Sequence, residues 1–213
     1  MQIYTQVVGE MEVNCYIVEQ DGACVVIDPG EEAARLISFL EEKKLCPTHI
    51  LLTHGHFDHI GGVNPLREKF ACQLAIGAGD ASMLSDPHKS LGVISGKPLD
   101  HFYMVPDLLF REGEILQVGP LRFQVLETPG HTPGGVTYLC GDALFTGDTL
   151  FAGSVGRTDF EGGSPIEMSR SVKRLASLEG DYQVLPGHGP SSRLSWERTH
   201  NFYMRAGGYA GLS

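Results

Sequence analysis

The 213-residue chain has no C-x-x-C pair: its five cysteines, Cys15, Cys24, Cys46, Cys72 and Cys140, are odd in number and never closer than nine apart. Neither a cysteine zinc knuckle nor a thioredoxin-type redox pair is available. Buried free thiols in a reducing cytoplasm are the expectation. The opening residues, Met1-Gln2-Ile3-Tyr4-Thr5-Gln6-Val7-Val8, make neither a basic leader nor an apolar signal core. No stretch approaches the ~18 apolar residues of a membrane span. Positive charge is also scarce, with 16 Lys+Arg against 26 Asp+Glu and a net charge of −10. Nucleic acid or an anionic membrane would call for a basic patch, so neither is an expected partner. No linker or short-period repeat divides the chain, and its length suits one domain over residues 1–213 with a core of its own.

Glycine and histidine are plentiful. Glycine is 27 of 213 residues, about 13%, against a usual ~7%. Nine histidines are a generous number for a chain with 20% charged residues. Both types are dispersed, which points to loops that carry chemistry.

β-branched runs at residues 3–8, 13–18 and 23–27 read as strands, the last stopped by the Asp28-Pro29-Gly30 turn. Residues 31–45 carry an apolar stripe at helical spacing, with acids in the first turn. A buried strand over 48–53 runs straight into His54-Gly55-His56-Phe57-Asp58-His59. Asn64-Pro65 reads as an N-cap and first helical residue, opening a short helix to about residue 70. Further strands are expected at 72–76, 115–118, 121–127, 135–139, 143–146 and 183–185. Ser164-Pro165-Ile166-Glu167 is a capping box opening a helix to about residue 178, and a weak helix lies near 196–200. Residues 85–107 have no clear period; a loop of this length in a compact domain suits a substrate lid. The plan suggests two packed sheets with helices outside.

The strongest signal is His54-x-His56-x-Asp58-His59, four ligand-type residues within six positions after a buried strand. Residues two apart on an extended strand end point the same way. His54 and His56 thus offer two imidazoles to one metal, with a carboxylate and an imidazole beside them, the donors zinc takes. Gly130-His131, Gly147-Asp148 and Gly187-His188 each place one more ligand-type residue after a glycine at a strand end. Seven such residues suit two divalent ions. The assignment gives His54, His56 and His131 to one ion and Asp58, His59 and His188 to the other, with Asp148 bridging. Zinc is the first choice, and iron or manganese are alternatives. A water held between the ions would become a hydroxide nucleophile near neutral pH, with Asp58 and Asp148 as the catalytic carboxylates. The ions would also polarise a carbonyl, so no serine or cysteine nucleophile is required.

At these residues the chain resembles the metallo-β-lactamase superfamily, from Asp28-Pro29-Gly30 to the Asn201 region. That resemblance implies an α/β fold: a four-layer αββα sandwich of two mixed β-sheets with outer helices. Asn14-Cys15-Tyr16, Asp28-Pro29-Gly30, Gly147-Asp148-Thr149-Leu150-Phe151 and Gly156-Arg157-Thr158-Asp159-Phe160 are most similar to short bacterial glyoxalase II-like hydrolases. The family implies hydrolysis of a small, anionic thioester such as an acyl-glutathione by the metal-bound hydroxide. Two departures bear on the substrate. The chain ends about where full-length glyoxalase II begins its helical C-terminal segment, and Asn201-Phe202 stands where Asn-Pro is expected.

The chief rival on the same scaffold is a mononuclear iron persulfide dioxygenase. Resemblance to that family would place Fe(II) on His54, His131 and Asp148; Asn14-Cys15-Tyr16 and Asp28-Pro29-Gly30 favour the hydrolase. A β-lactamase would call for export and a signal peptide, and a nuclease for basic surface. Asp28 is a candidate for orienting a ligand histidine or for shaping its own turn. Arg157 and Asp159 are candidates for the substrate pocket or for a structural ion pair, and Tyr103 for touching substrate. His49, His88, His101 and His200 lack a glycine setting and read as ordinary.

Overall fold

The computed structural model describes residues 1–205; of the domain expected over 1–213, residues 206–213 lie outside the described residues. Six strands form the first sheet in sequence order: β1 (Gln2–Val8), β2 (Val13–Gln20), β3 (Ala23–Ile27), β4 (His49–Leu52), β5 (Gln73–Gly77) and β6 (Leu108–Phe110). β1 to β3 pair antiparallel and β3 to β6 parallel. The parallel steps need crossovers, supplied by α1 (Ala33–Lys43) and by α2 (Phe57–Ile60) with α3 (Val63–Phe70). The later chain adds β7 (Ile115–Val118), β8 (Leu121–Glu127), β9 (Val136–Cys140), β10 (Ala143–Gly147), β11 (Leu150–Phe151) and β12 (Ser154–Val155). After these come α4 (Pro165–Ala176), β13 (Gln183–Pro186), β14 (Ser192–Arg193) and α5 (Leu194–His200). The second sheet runs β14-β13-β10-β9-β8-β7, and only β10 and β13 pair in parallel.

Alternation along the strands sorts side chains into three cores. Val25 and Ile27 of β3 face the second sheet, packing with Leu51, Phe123, Val125, Tyr138 and Phe145 between the sheets. Cys24 and Val26 face outward onto Leu36 and Leu40 of α1 and Val63 and Leu66 of α3. Leu144 and Val184 of the second sheet pack under Met168, Val172 and Leu175 of α4 and Leu194 of α5. The result is a four-layer αββα sandwich of two mixed sheets. Phe123 and Phe145 are fully buried, each worth roughly 1.5–3 kcal/mol of burial. Tyr138 joins the layers polarly as well, donating from Oη to the Leu52 carbonyl at 2.8 Å.

Some local expectations are corrected. Helix α1 starts at Ala33, so Glu31 and Glu32 precede it; Glu32 sits at φ 51° and its carboxylate accepts from the Gly9 amide at 3.1 Å. Asn64 and Pro65 lie inside α3, whose N-cap is Gly62. Asn64 Nδ2 instead donates to the Tyr103 carbonyl at 3.1 Å, tying α3 to the 85–107 segment. That segment is a loop, as expected, carrying 3-10 turns at Gly92–Ile94 and Leu99–Phe102, with Phe102 and Met104 buried. The capping box stands, Ser164 Oγ accepting from the Glu167 amide at 3.2 Å. All five cysteines are free, and Cys46 is exposed rather than buried. Among the described residues no helix is long and apolar enough to cross a membrane.

Candidate metal centre

The strands β3, β4, β8, β10 and β13 end at one edge of the sandwich and hand over to the loops bearing Asp28, His54 to His59, His131, Asp148 and His188. Two glycines let these loops close up. Gly147 has φ 48°, and a Cβ there would lie 2.3 Å from Thr53 Oγ1. At Gly187 a Cβ would lie 2.3 Å from Asp148 Oδ1 and 2.7 Å from His59 Cε1. Any side chain at Gly187 would push into the cluster.

All seven expected ligand residues converge. His54, His56 and His131 bring ligand atoms within 4.8 Å of one another, and so do Asp58, His59 and His188. His56 Nδ1 lies 2.9 Å from His131 Nε2, and His59 Nε2 lies 3.3 Å from His188 Nε2. Asp148 reaches both groups: Oδ2 is 3.5 Å from His131 Nε2 and 3.6 Å from His188 Nε2, and Oδ1 is 3.5 Å from His59 Nε2. Asp58 Oδ2 stands 3.4 Å from His188 Nε2.

The outward nitrogens are held. His59 Nδ1 lies 3.0 Å from Asp28 Oδ2, His131 Nδ1 2.8 Å from the Arg157 carbonyl, and His188 Nδ1 2.9 Å from the Met11 carbonyl. Each acceptor fixes the N–H on Nδ1 and leaves the Nε2 lone pair for the centre, as histidine metal ligands require. Of the four buried side-chain atoms without a hydrogen-bond partner among the described residues, two, His54 Nε2 and Asp148 Oδ1, belong to this cluster. Buried polar atoms are seldom left so, and here both face the other donors. A divalent ion on these nitrogens and oxygens would satisfy them, and the donor set fits zinc, iron or manganese.

The two groups differ electrostatically. Burial, with His131 alongside, pulls the His56 imidazole down to about 3, and burial together with the neighbouring imidazoles holds His54 well below its ordinary value. Burial also opposes charge on His59, yet Asp58, Asp148 and Asp28 outweigh it and push the imidazole up to about 10. Against burial, His59 and His188 hold the Asp58 carboxyl below the usual carboxylate range.

Asp28 reaches both its own turn and His59. It occupies φ 48° in its turn, and its carboxylate accepts from the Thr53 amide at 2.8 Å and from Thr53 Oγ1 at 2.6 Å while holding His59. Arg157 and Asp159 form an exposed bidentate pair, with both contacts at 2.7 Å. The Arg157 guanidinium also lies 4.1 Å over the Phe160 ring, and both residues line the cavity in front of the cluster. Tyr103 does not line that cavity; Leu91 and Ile94 of the same segment do. His49, His88, His101 and His200 lie outside the ligand groups, and His200 stacks on Trp196.

The sequence reading missed Asp80. Fully buried, it accepts from Thr132 Oγ1 at 2.7 Å, from the Gly134 amide at 2.6 Å and from the Gly55 amide at 3.3 Å, joining the His54–His56 loop to the His131 loop. Burial raises its carboxyl pKa against those donors. Its signal was an acid after a glycine just beyond a strand, as at Asp148. The Asn14-Cys15-Tyr16 segment also acquires a mechanical meaning. Asn14 Nδ2 donates to the Pro186 and Gly189 carbonyls at 3.0 and 2.8 Å, and Tyr16 Oη to Pro186 at 2.7 Å. Both clamp the loop that presents His188.

A sandwich of this layering with a histidine–aspartate cluster at one edge is a metallo-hydrolase scaffold. The chain belongs to the metallo-beta-lactamase superfamily, whose model matches residues 8–188. It is 36% identical over 206 residues to "Probable metallo-hydrolase YqgX" of Bacillus subtilis, covering 92% of this chain and 94% of that one. It is 34% identical over 205 residues to "Hydroxyacylglutathione hydrolase GloC" of Haemophilus influenzae, covering 93% and 96%. Among solved structures it is similar to TTHA1623 in a di-iron-bound form, with TM-score 0.84, 36% identity and coverage of 93% and 98%. It is also similar to ETHE1 from Myxococcus xanthus, with TM-score 0.80, 31% identity and coverage of 94% and 83%.

Proposed function

We propose that the protein is a binuclear metal-dependent hydrolase of small anionic thioesters, with an acyl-glutathione as the reference substrate. The observation that carries this reading is Asp148, whose one carboxylate lies within 3.6 Å of nitrogens from both donor groups. His54, His56 and His131 would hold one ion and Asp58, His59 and His188 the other. Zinc is the first choice, with iron or manganese served by the same donors. Bound there, the ions would supply a hydroxide nucleophile at neutral pH and polarise the thioester carbonyl.

The chain's own groups prepare that chemistry. Asp28 and the carbonyls of Arg157 and Met11 fix three histidine tautomers. Asp58 is kept ionised by His59 and His188, whose Nε2 atoms lie 3.7 and 3.4 Å from its Oδ2, and so would offer a charged carboxylate to the second ion and its water. In the net reaction a water oxygen bonds to the carbonyl carbon, the C–S bond breaks, and carboxylate, thiol and one proton result. Unpaired thiols suit a reducing cytoplasm. The hydroxyacylglutathione hydrolase relative supports the thioester reading. The ETHE1 similarity keeps the mononuclear iron alternative, on His54, His131 and Asp148, as the rival; the complete second group of Asp58, His59 and His188 favours two ions.

The deciding experiment offers the metal-loaded protein S-lactoylglutathione and then glutathione persulfide, following thioester loss and oxygen uptake. Thioester loss is expected, abolished together with metal retention in His56→Ala. Oxygen uptake without thioester loss would overturn the hydrolase.

A further inference from the structure

The cavity of about 550 Å³ in front of the cluster is walled by Phe57, Leu91, Ile94, Phe151 and Phe160, with Arg157 the one lysine or arginine lining it among the described residues. That cation is already engaged, by the Asp159 carboxylate and the Phe160 ring. Leu91 and Ile94 are held there by construction. The Phe57 amide donates to the Ser90 carbonyl at 2.8 Å, fastening the segment to α2. Leu91 adopts φ 60°, ψ 15°, left-handed backbone that disfavours a leucine. Gly92 lets the turn close on Phe102, since a Cβ there would stand 2.8 Å from that ring. Ile94 is 67% exposed, an apolar side chain left at the mouth of a binding cavity.

We propose that this wall selects the acyl arm of the substrate, favouring thioesters with an extended apolar acyl chain, such as hexanoyl, over the hydroxylated lactoyl group. The inference rests on the thioester reading. The thiol arm of such a substrate carries carboxylates, and setting them against Leu91 and Ile94 would place charge on apolar side chains with no free cation beside it. The apolar arm is therefore the one that fits the wall. The charged arm lies toward solvent.

The test is a homologous series measured two ways. With acetyl-, butanoyl- and hexanoyl-glutathione, kcat/KM is expected to rise about fourfold per added methylene and to exceed the value for S-lactoylglutathione. Calorimetric binding of S-methyl-, S-butyl- and S-hexylglutathione, which have no scissile thioester, is expected to tighten along the same slope. Ile94→Ser should flatten both slopes. Val105→Ser, an exposed change in the same segment away from the cavity, should leave them intact and serves as the folding control. A flat slope in the native protein, or an unchanged slope in Ile94→Ser, overturns the assignment. Hydrolysis of no thioester with the binding slope retained sinks the thioester reading and leaves the apolar wall standing.

Discussion

The two donor groups share one carboxylate and are built on opposite electrostatics. His54, His56 and His131 are imidazoles alone, and burial keeps two of them neutral and ready to donate a lone pair. Asp58, His59 and His188 mix a carboxylate with imidazoles, and the surrounding acids favour a proton on His59, held up at about 10. The first group is preorganised for a cation by being uncharged and close-packed. In the second, the carboxylates favour the charged form of His59, so ion binding there would compete with a proton. The two halves thus differ in how far protonation opposes an ion.

Removing what joins the halves should have the largest effect. Asp148→Ala deletes the contact to both groups, and thioester hydrolysis is expected to fall by roughly three orders of magnitude, as loss of several kcal/mol of ion-based stabilisation implies. Retained turnover with both ions bound would dissolve the pairing. Asp28→Asn should separate the halves. It weakens the acceptor on His59 Nδ1 directly and reaches the first group only through Thr53, whose Oγ1 lies 3.2 Å from His54 Nδ1, so ion affinity of the second group is expected to drop about 10–100-fold and that of the first by less in a metal titration. An equal loss at both would show that Asp28 acts through the fold.

The smallest effect is on the stability of the metal-stripped protein. An unfolded histidine protonates near 6.5, whereas His56 in the fold resists protonation until about 3. Between those values the unfolded chain binds more protons, so stability falls as pH falls. His59 runs the other way: its contribution is complete below about 6.5 and is lost as pH rises through about 10. Urea midpoints at pH 5, 6.5 and 9 should peak at the middle value, and a steady rise to pH 9 would contradict the contrast.

The first group was plainer in the sequence than its supports. His54 and His56 stand two apart just past the end of β4, a spacing recognisable in the sequence although both lie in the loop before α2. The glycine-flanked His131, Asp148 and His188 became legible only jointly, because strands distant in sequence bring them together. Asp80 shares the glycine-then-acid signal of Asp148, but the partners that give it its role, the Gly55 and Gly134 amides and Thr132 Oγ1, are distant in sequence. The Arg157 carbonyl on His131 was hidden for the same reason. Among the elements, the alternating strands β1 to β5 and β7 to β10 were readable, whereas β6, β11, β12 and β14 are two or three residues long and are defined by their neighbours. Asn64-Pro65 misled because Pro65 fits anywhere in the first helical turn, and the N-cap fell at Gly62.

The most direct test of the central claim is a titration of the chelated protein with zinc, recording bound ion, released protons and thioester hydrolysis together. Two ions per chain are expected, the first binding with little proton release, the second with release of about one proton from His59, and full activity only when both are bound. Full activity at one ion per chain, with the second group still protonated, would contradict it.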